Sequence, residues 1–439
     1  MNKKGIALIF VLGVVSVLLL ISLSYVFLVS NELSTASRIH NEVQAYYYAE
    51  AAIAKKIIEL KQGGASALSD AYIYFPTSGV APSLSMGFGH VDTSGGAAAL
   101  TTCRITGWGH CRGAVRQIEL TIRETSIVCY VYFTNSEQCH APWPSAFEGF
   151  TNYFTTGTFV RGSLHTNDTL HVSGDPIFYG AVTTVGSAID YRNGGPPIDN
   201  PEFRQTLTTG VPKVTMPSGE SYLEPIKEAA EGHHGHSNDW KLEGDTTITL
   251  DGTTMNVINE HKYGDTASHS ESLPSSSAIY VTGGNVTVSG VLDGQLTIGT
   301  SRDIYIAGNV TYAADPLENP NSDDILGLVA KGNVVIASTA PFNAEMYAYN
   351  VTVEGGVSVE NGETVRKGML LTVGGATSNK VGIMGLLKGT TVISGYDEDK
   401  RYDERLAGGL NPPYFPVARD TIGTLYQKIS WVDRGLRLE

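Results

Sequence analysis

The chain has 439 residues, enough for two or three structural units, and its 42% hydrophobic content argues against disorder throughout. Acidic residues outnumber basic ones by 44 to 30, and the formal net charge of -14 argues against a nucleic-acid partner, because phosphate recognition needs clustered Lys and Arg. The 49 glycines and the low share of charged residues, 17%, favour many short strands joined by tight turns.

The first predicted element is a transmembrane helix over residues 6–29, IALIFVLGVVSVLLLISLSYVFLV, which contain no charged side chain. Such a helix is about 36 Å long, slightly more than the roughly 30 Å of hydrocarbon in a bilayer. Lys3 and Lys4 precede it, so the positive-inside rule leaves residues 1–5 as a cytoplasmic leader and places the rest of the chain outside the cytoplasm. The run is longer than the apolar core of a cleaved signal peptide, which favours a single-pass membrane protein.

Residues 30–62 are predicted to continue this helix as an amphipathic extension. No Pro or Gly interrupts them, and Gly63-Gly64 supplies a stop. One face is predicted from residues spaced alternately four and three positions apart, namely Ile39, Val43, Tyr46, Glu50, Ile53 and Ile57. A carboxylate on an apolar face predicts either a partner for Glu50 in the packed head or a position at the wet edge of the face.

The N-terminal sequence KKGIALIFVLGVVSVLLL, with the later YYYAEAAIAKKI, resembles the N-terminus of PilX-like minor pilins and of the tip minor pseudopilins of type II secretion. The resemblance covers roughly the first 60 residues. It implies that a prepilin peptidase cuts after Gly5, so that Ile6 becomes the first mature residue. Most major pilins carry glutamate at the fifth mature position, where this chain has Phe10. That departure implies a minor or tip subunit, and an unprocessed single-pass anchor is the alternative.

Residues 63–129 are predicted to form a small pilin-like head. The segments 100–106 and 114–123 have the composition of strands, and the glycine-containing GWGHCRG between them predicts a hairpin. A long helix followed by such a hairpin matches the minimal pilin head. The preceding residues 65–99 are rich in small residues and glycine, which predicts mostly loop.

Four cysteines lie within one stretch of 37 residues: Cys103, Cys111, Cys129 and Cys139. None forms the close pair typical of a zinc site, so a metal centre is not expected. In an exported region two local disulfides are possible, and four cysteines allow three connectivities among which the sequence does not choose. Four semi-buried thiols are the equally weighted alternative.

Residues 130–186 and 278–439 are predicted to be β-rich, the latter ending in a C-terminal closing segment. Similar segments recur about every 20 to 25 residues, which indicates a solenoid and favours a parallel β-helix, with a β-sandwich as the alternative. These segments are 279–290, 304–312, 327–338 and, more loosely, 347–359. Residues 187–277 are interpreted as an insertion with a loop, a short helix and a hairpin turning at Asp251-Gly252. The fold class is therefore α+β.

A second resemblance concerns this β-rich part. The runs GSLHTNDTLHVSGDPIFYGAV and NPPYFPVARDTIGTLYQKISWVD resemble uncharacterised exported domains that accompany PilX-type N-termini in some bacterial envelope proteins. The resemblance implies one exported multi-stranded unit that ends with the chain.

The sequence contains no GxSxG, no HExxH, no Walker phosphate loop and no complete GxGxxG followed by a helix. The polar clusters all have plain structural interpretations: a solvated loop for the histidines at 233–236, an exposed turn for Asp323-Asp324, and turn asparagines for the glycosylation-like triplets at Asn285, Asn309 and Asn350. His165 and His171, six residues apart, lack a third group. No catalytic residue, metal or cofactor is therefore predicted, and an enzyme is not expected.

The sequence predicts a minor pilin or pseudopilin-like structural subunit of a type IV pilus or a type II secretion-like system. Its expected partners are the inner membrane, other pilins or pseudopilins through the N-terminal helix, and a prepilin peptidase. It is expected to be a single-pass inner-membrane protein whose C-terminal part lies outside the cytoplasm, alone or in a filament. The alternatives are an anchored envelope protein whose β region binds glycans and, less favoured, a polysaccharide-active enzyme.

Overall fold

The computed structural model describes residues 3–63, 71–74, 88–94, 102–124, 129–139, 148–216, 219–231, 240–362, 364–406, 410–416 and 426–436. The chain forms two compact units. Unit 1 comprises Met1–Ala97, Thr101–Arg123 and Tyr426–Glu439, and unit 2 comprises Ala98–Leu100 and Glu124–Leu425.

The elements of the first half, in chain order, are α1 Lys3–Gly63, β1 Ala71–Tyr74, β2 Phe88–Ser94, β3 Thr102–Cys111, β4 Ala114–Glu124, β5 Tyr132–Thr134, β6 Phe154–Thr155, β7 Thr158–Arg161, β8 Leu164–Thr166, β9 His171–Ser173, β10 Ile177–Phe178, β11 Val182–Thr184, β12 Asp190–Tyr191, β13 Glu202–Phe203, β14 Leu207–Thr209 and α2 Glu224–Ala230.

The elements of the second half are β15 Lys241–Glu243, β16 Thr246–Gly252, β17 Thr254–Ile258, α3 Glu260–Tyr263, β18 His269–Ser272, β19 Ala278–Thr282, β20 Val286–Leu292, β21 Gln295–Thr300, β22 Ile304–Tyr312, β23 Ile325–Ala330, β24 Val334–Ile336, β25 Ala344–Thr352, β26 Val357–Val359, β27 Arg366–Ser378, β28 Leu387–Lys388, β29 Thr391–Val392, β30 Gly395–Tyr402 and β31 Tyr426–Leu436. Short 3-10 turns lie at Glu220–Tyr222 and Glu404–Leu406.

Unit 1 is one long helix and a five-stranded sheet of order β1-β2-β3-β4-β31. The predicted continuous N-terminal helix is confirmed, and α1 ends at Gly63. Strand β4 alternates buried and half-buried side chains, and its buried Ile118, Leu120 and Ile122 pack with Ile53 and Leu60 of α1. Each of these fully buried side chains contributes about 1.5–3 kcal/mol by leaving water.

The predicted hairpin is present as the antiparallel pair β3–β4, but its connection is shorter than expected. The segment assigned to the connection continues β3, and the turn consists of Arg112 and Gly113, with φ values of 46° and 85°. Positive φ at both central residues is the geometry of a type I′ turn. Gly107 and Gly109 pair with β4 as part of the strand, and α1 passes too close to them to leave room for a side chain.

Unit 2 is dominated by a mixed sheet of 21 strands. Most of its pairs are parallel, while β16–β17 and β17–β18 are antiparallel. Strands β20, β22, β24 and β26 pair in parallel in that order, and their register aligns Val288, Ile306, Ile336 and Val359, which are at most 4% exposed. A row of aligned β-branched side chains forms a continuous strip of core.

The predicted mostly β composition of this part of the chain is confirmed. The parallel β-helix remains a prediction, because the strands form large mixed sheets. Strands within the segment interpreted as an insertion, 187–277, pair with strands on either side of it: β13 with β10, and β16 with β20. The hairpin there turns at Gly252-Thr253 and not at Asp251-Gly252, because Asp251 pairs with Thr254 and only Gly252 takes positive φ.

The end of the chain also differs from the sequence-based division. Residues 278–439 were expected to form one β-rich region with its closing segment, but β31 lies beside β4 in the sheet of unit 1. The edge of β4 offers unpaired backbone groups that a further strand satisfies.

Candidate functional site

The first candidate site is the apolar surface of α1. Large apolar side chains are exposed along it, from Phe10 at 73% to Phe27 at 72%. The helix is long and apolar enough to cross a membrane, with a mean hydropathy of 2.6 in its most apolar stretch. Leaving so much apolar surface in water costs roughly 25 cal/mol per Å², so lipid or neighbouring helices are the surroundings that it favours.

The few polar side chains in this half of α1 are suited to an apolar environment. The hydroxyls of Ser16, Ser22 and Ser24 each donate to the backbone carbonyl four residues earlier, at 2.8, 2.8 and 2.9 Å. A hydroxyl that lacks a partner in hydrocarbon costs several kcal/mol, and these bonds remove that cost without a second helix. This half of α1 is therefore consistent with a single-pass membrane anchor.

The second half of α1 is held against the sheet by direct backbone contact. A Cβ added to Gly109 would lie 1.8 Å from the carbonyl oxygen of Ala45, and one added to Gly107 would lie 2.6 Å from Ile53 Cγ1. Ala45 and Ala49 are fully buried at this contact. Glycines on the strand and alanines on the helix thus let the two backbones meet.

This contact also corrects the predicted helix face. Ile39 and Val43 were expected on the buried stripe but are 53% and 47% exposed. Ile53 is buried as predicted, and the predicted Tyr46 and Ile57 pack against the same core. The rest of the buried face contains Ala45, Ala49, Ala52, Lys56 and Leu60. Small side chains decide the orientation because only they allow close approach to the strand. Glu50 is half-buried, at the edge of this face.

The predicted processing site lies in the first turns of α1. Gly5 and Ile6 have helical backbone, and their side chains lie outside the described residues. Phe10 is described, and its ring stands on the open helix surface.

Three of the four cysteines are free thiols in the structure: Cys111 and Cys139 are buried and Cys129 is exposed. The side chain of Cys103 lies outside the described residues. Its backbone is near one end of β3 and Cys111 is at the other, about 27 Å away at about 3.4 Å per residue. A disulfide needs Cα atoms within about 7 Å, so one of the three possible connectivities is ruled out. The disulfides themselves remain a prediction.

His165 and His171 have different hydrogen-bond partners. His165 is buried, with Nδ1 2.8 Å from Thr183 Oγ1 and Nε2 3.0 Å from Asn167 Oδ1, and burial lowers the pKa of its imidazole. His171 Nδ1 instead lies 2.8 Å from a carboxylate oxygen of Asp190. His233, His234 and His236 fall outside the described residues. Among the residues that are described, no group of three or more His, Cys, Asp or Glu could hold a metal ion.

The acidic and asparagine motifs have structural roles. Asp324 is buried and accepts the backbone N–H groups of Gly294 and Ala314 at 2.8 and 3.0 Å, whereas Asp323 is exposed. Asn285 and Asn309 each accept a backbone N–H from another segment, and Asn350 is only 1% exposed. Burial makes Asn350 an unsuitable glycosylation acceptor. The exposed turn predicted for Asp324 is therefore wrong, because its carboxylate holds two loops together.

The second candidate site is a cleft of about 630 Å³ in unit 2. Its walls include aromatic, amide and charged side chains, among them Phe150, Asn152, Tyr153, Arg192, Tyr396 and Glu398. A smaller cavity of about 40 Å³ shares the lining residues Asn152, Tyr153, Met384 and Glu398 with the cleft. Asn350 and Lys400 also line this inner cavity. The volume of the cleft falls in the range of known small-molecule sites.

Two charged groups that line the inner cavity are paired with each other. Glu398 and Lys400 lie two residues apart on β30, so they share a face of the strand, and their side chains form an ion pair while only 15% and 11% exposed. Behind the cleft, Glu137 is 1% exposed and accepts hydrogen bonds from the Tyr132 hydroxyl at 2.9 Å and from Asn152 Nδ2 at 3.4 Å. Burial raises the pKa of the Glu137 carboxyl.

Sequence reasoning missed this cleft. Asn152 and Glu398 come from distant parts of the chain and meet because β30 pairs in parallel with β7, which follows Asn152 by a few residues. Such a pairing leaves no local pattern. The one local sign is the aromatic density of FEGFTNYF, residues 147–154.

Comparison with known proteins adds little to this picture. A family described as a domain of unknown function, DUF4900, matches residues 94–187. No curated protein matches the chain. A solved structure that does match is the competence-associated pilin ComZ from Thermus thermophilus, at 11% identity and a TM-score of 0.34, with 91% of this chain and 98% of that chain covered. A likeness at this level establishes no shared activity.

Proposed function

We propose that the chain is a pilin-like structural subunit anchored in the inner membrane by α1. The observation that carries the proposal is the division of one continuous helix between two environments. Phe10 is 73% exposed in its first half, whereas Ala45 and Ala49 in its second half are fully buried against a sheet. A helix that joins a packed head to a bare apolar extension is built to insert among lipids or other helices.

The finer assignment is a minor subunit, PilX-like or similar to a tip pseudopilin. It is supported by the N-terminal resemblance and by Phe10, which cannot neutralise the N-terminal ammonium of an adjacent subunit as a carboxylate would. An unpaired charge in an apolar filament core costs several kcal/mol. A subunit at the end of a filament has no neighbour on one side, so its Phe10 leaves no ammonium unpaired there. We therefore expect few copies of this chain in a filament, and the proposal assigns it no catalytic role.

The proposal includes a parallel β-helix as the architecture of unit 2. Its support is the register: Ile304 pairs in parallel with Val334, and Val334 with Val357, partners that are 30 and 23 residues apart. Parallel partners at that separation fit successive coils of a solenoid. In the proposed membrane orientation, unit 2 lies outside the cytoplasm.

N-terminal sequencing of the mature protein tests the processing that this function requires. The expected first residue is Ile6, and Gly5→Leu should leave an uncleaved precursor. Gly13→Ala, a change in the same helix beyond the cleavage site, serves as the control and should be processed normally. If the native protein begins at Met1 and Gly5→Leu changes nothing, the chain is a permanently anchored envelope protein instead.

A further inference from the structure

The cleft of unit 2 combines features that suit one class of ligand. Phe150 is 57% exposed at the cleft, although a large aromatic side chain gains free energy by leaving water. Tyr153 lies in the same wall, and the guanidinium of Arg192 is 5.5 Å from the centroid of its ring. Flat apolar faces beside planar donors suit a molecule that has both C–H faces and hydroxyl groups.

The inner cavity has a polar group that requires a donor. Asn350 is 1% exposed, and its Oδ1 accepts no hydrogen bond from the described residues. An amide oxygen left without a donor in a protein interior is unfavourable, because it has lost its hydrogen bonds to water. Glu398 also lines this cavity and adds carboxylate oxygens, which accept hydrogen bonds when ionised. A ligand that extends a hydroxyl inward would satisfy these acceptors.

The charged groups around the cleft already have partners within the protein. Glu398 forms an ion pair with Lys400, and the two groups are largely withdrawn from solvent. The guanidinium of Arg192 lies over the ring of Tyr153. A neutral ligand with hydroxyl groups can hydrogen-bond to these side chains without separating the ion pair.

We propose that this cleft binds a neutral saccharide, with a sugar ring against Phe150 and Tyr153 and a hydroxyl directed toward Glu398 and Asn350. The site lies within unit 2 and does not depend on how α1 is processed or assembled. The proposal therefore stands or falls separately from the pilin-like role.

The test is isothermal titration of the full-length protein with cellotetraose, chitotetraose, maltotetraose and xylotetraose. The protein is purified in a detergent without a sugar headgroup, because a glucoside or maltoside would occupy the site. At least one tetrasaccharide should bind, and Phe150→Ala and Tyr153→Ala should each weaken binding about tenfold, the loss expected for one aromatic contact of about 1.4 kcal/mol.

Phe342→Ala is the matched control, since Phe342 is also a largely exposed phenylalanine of unit 2, at 64%, and does not line the cleft. Its binding should equal that of the unmodified chain. Unchanged thermal unfolding of Phe150→Ala would show that lost binding is not lost folding. The proposal is overturned if none of the four sugars binds at about 10 mM, if Phe150→Ala binds normally, or if dextran sulfate binds at the cleft in their place.

Discussion

The backbone N–H of Asn333 donates a hydrogen bond of 2.6 Å to Oδ1 of Asp303, 30 residues earlier in the chain. The same relation recurs on both sides. Asn285 donates to Asp245 at 2.8 Å, Asp303 donates to Asn285 at 3.2 Å, and Gly356 donates to Asn333 at 3.2 Å. Four side-chain oxygens thus form a ladder that links five segments at one edge of the stacked strands, where the turns would otherwise leave N–H groups unpaired.

Asp303→Ala should destabilise unit 2 by about 1–3 kcal/mol, because it removes the acceptor for both the backbone N–H and the Nδ2 of Asn333. Asp303→Asn keeps an oxygen at that position and should recover most of the loss. Urea unfolding followed by circular dichroism in the β region measures the shift of the midpoint. Equal midpoints for the Ala and Asn variants would show that the ladder carries no stability.

Gly109→Ala should destabilise unit 1 by at least about 1–3 kcal/mol. The added methyl group would lie 1.8 Å from the Ala45 carbonyl oxygen, and relieving the clash would require the backbone of the helix or the strand to move. Gly13→Ala is the control, because it adds the same group to α1 where nothing lies within 4 Å. Limited proteolysis of the two variants in the same detergent reports head stability. Resistance of Gly109→Ala equal to that of Gly13→Ala would contradict the close helix–strand contact.

Glu137→Gln should flatten the dependence of stability on pH. Burial raises the folded-state pKa of Glu137 above its ordinary value of 4.5, so the folded state binds the proton more tightly than the unfolded state. That contribution to stability is complete below pH 4.5 and is lost as the pH rises through the folded-state pKa. Melting temperatures from pH 4 to 9 should therefore fall less steeply for the variant. Glu354→Gln, at an exposed position, should leave the slope unchanged.

Peptide mapping of the native protein without reductant should yield no Cys103–Cys111 cross-link. The two residues lie near opposite ends of the extended strand β3, far beyond the reach of a disulfide. Any bridge that is found should therefore leave Cys103 and Cys111 unlinked to each other. Recovery of a Cys103–Cys111 peptide would mean that β3 is not a continuous strand.

Local features of the fold were predictable because they depend on neighbouring residues. The charge-free run, the absence of Pro and Gly from residues 30–62, and the stop at Gly63 define α1 from the sequence alone. Its buried face was not predictable from side-chain polarity: Val43 is more apolar than Ala45, yet Ala45 is buried because Gly109 meets it. That choice depends on a strand more than 60 residues away.

The repeats were recognised, but their alignment did not follow from the sequence. The similar segments beginning at Ile279 and Ile304 look equivalent, whereas Ile304 pairs with Val286 and Ile279 pairs with Ile298. The repeats are alike because each needs buried β-branched residues. This likeness does not determine the register in which their strands pair. The cleft could not be predicted from the sequence for the same reason, since its walls form only after distant strands pair.

The position of β31 has a consequence for biosynthesis. The sheet of unit 1 begins with residues near the N-terminal helix, but its edge strand beside β4 consists of Tyr426–Leu436, which follow the strands of unit 2 in the chain. The sheet of unit 1 therefore stays incomplete until unit 2 has been synthesised. A ribosome that stops early releases a product with an open strand edge, which quality-control proteases can distinguish from the finished protein.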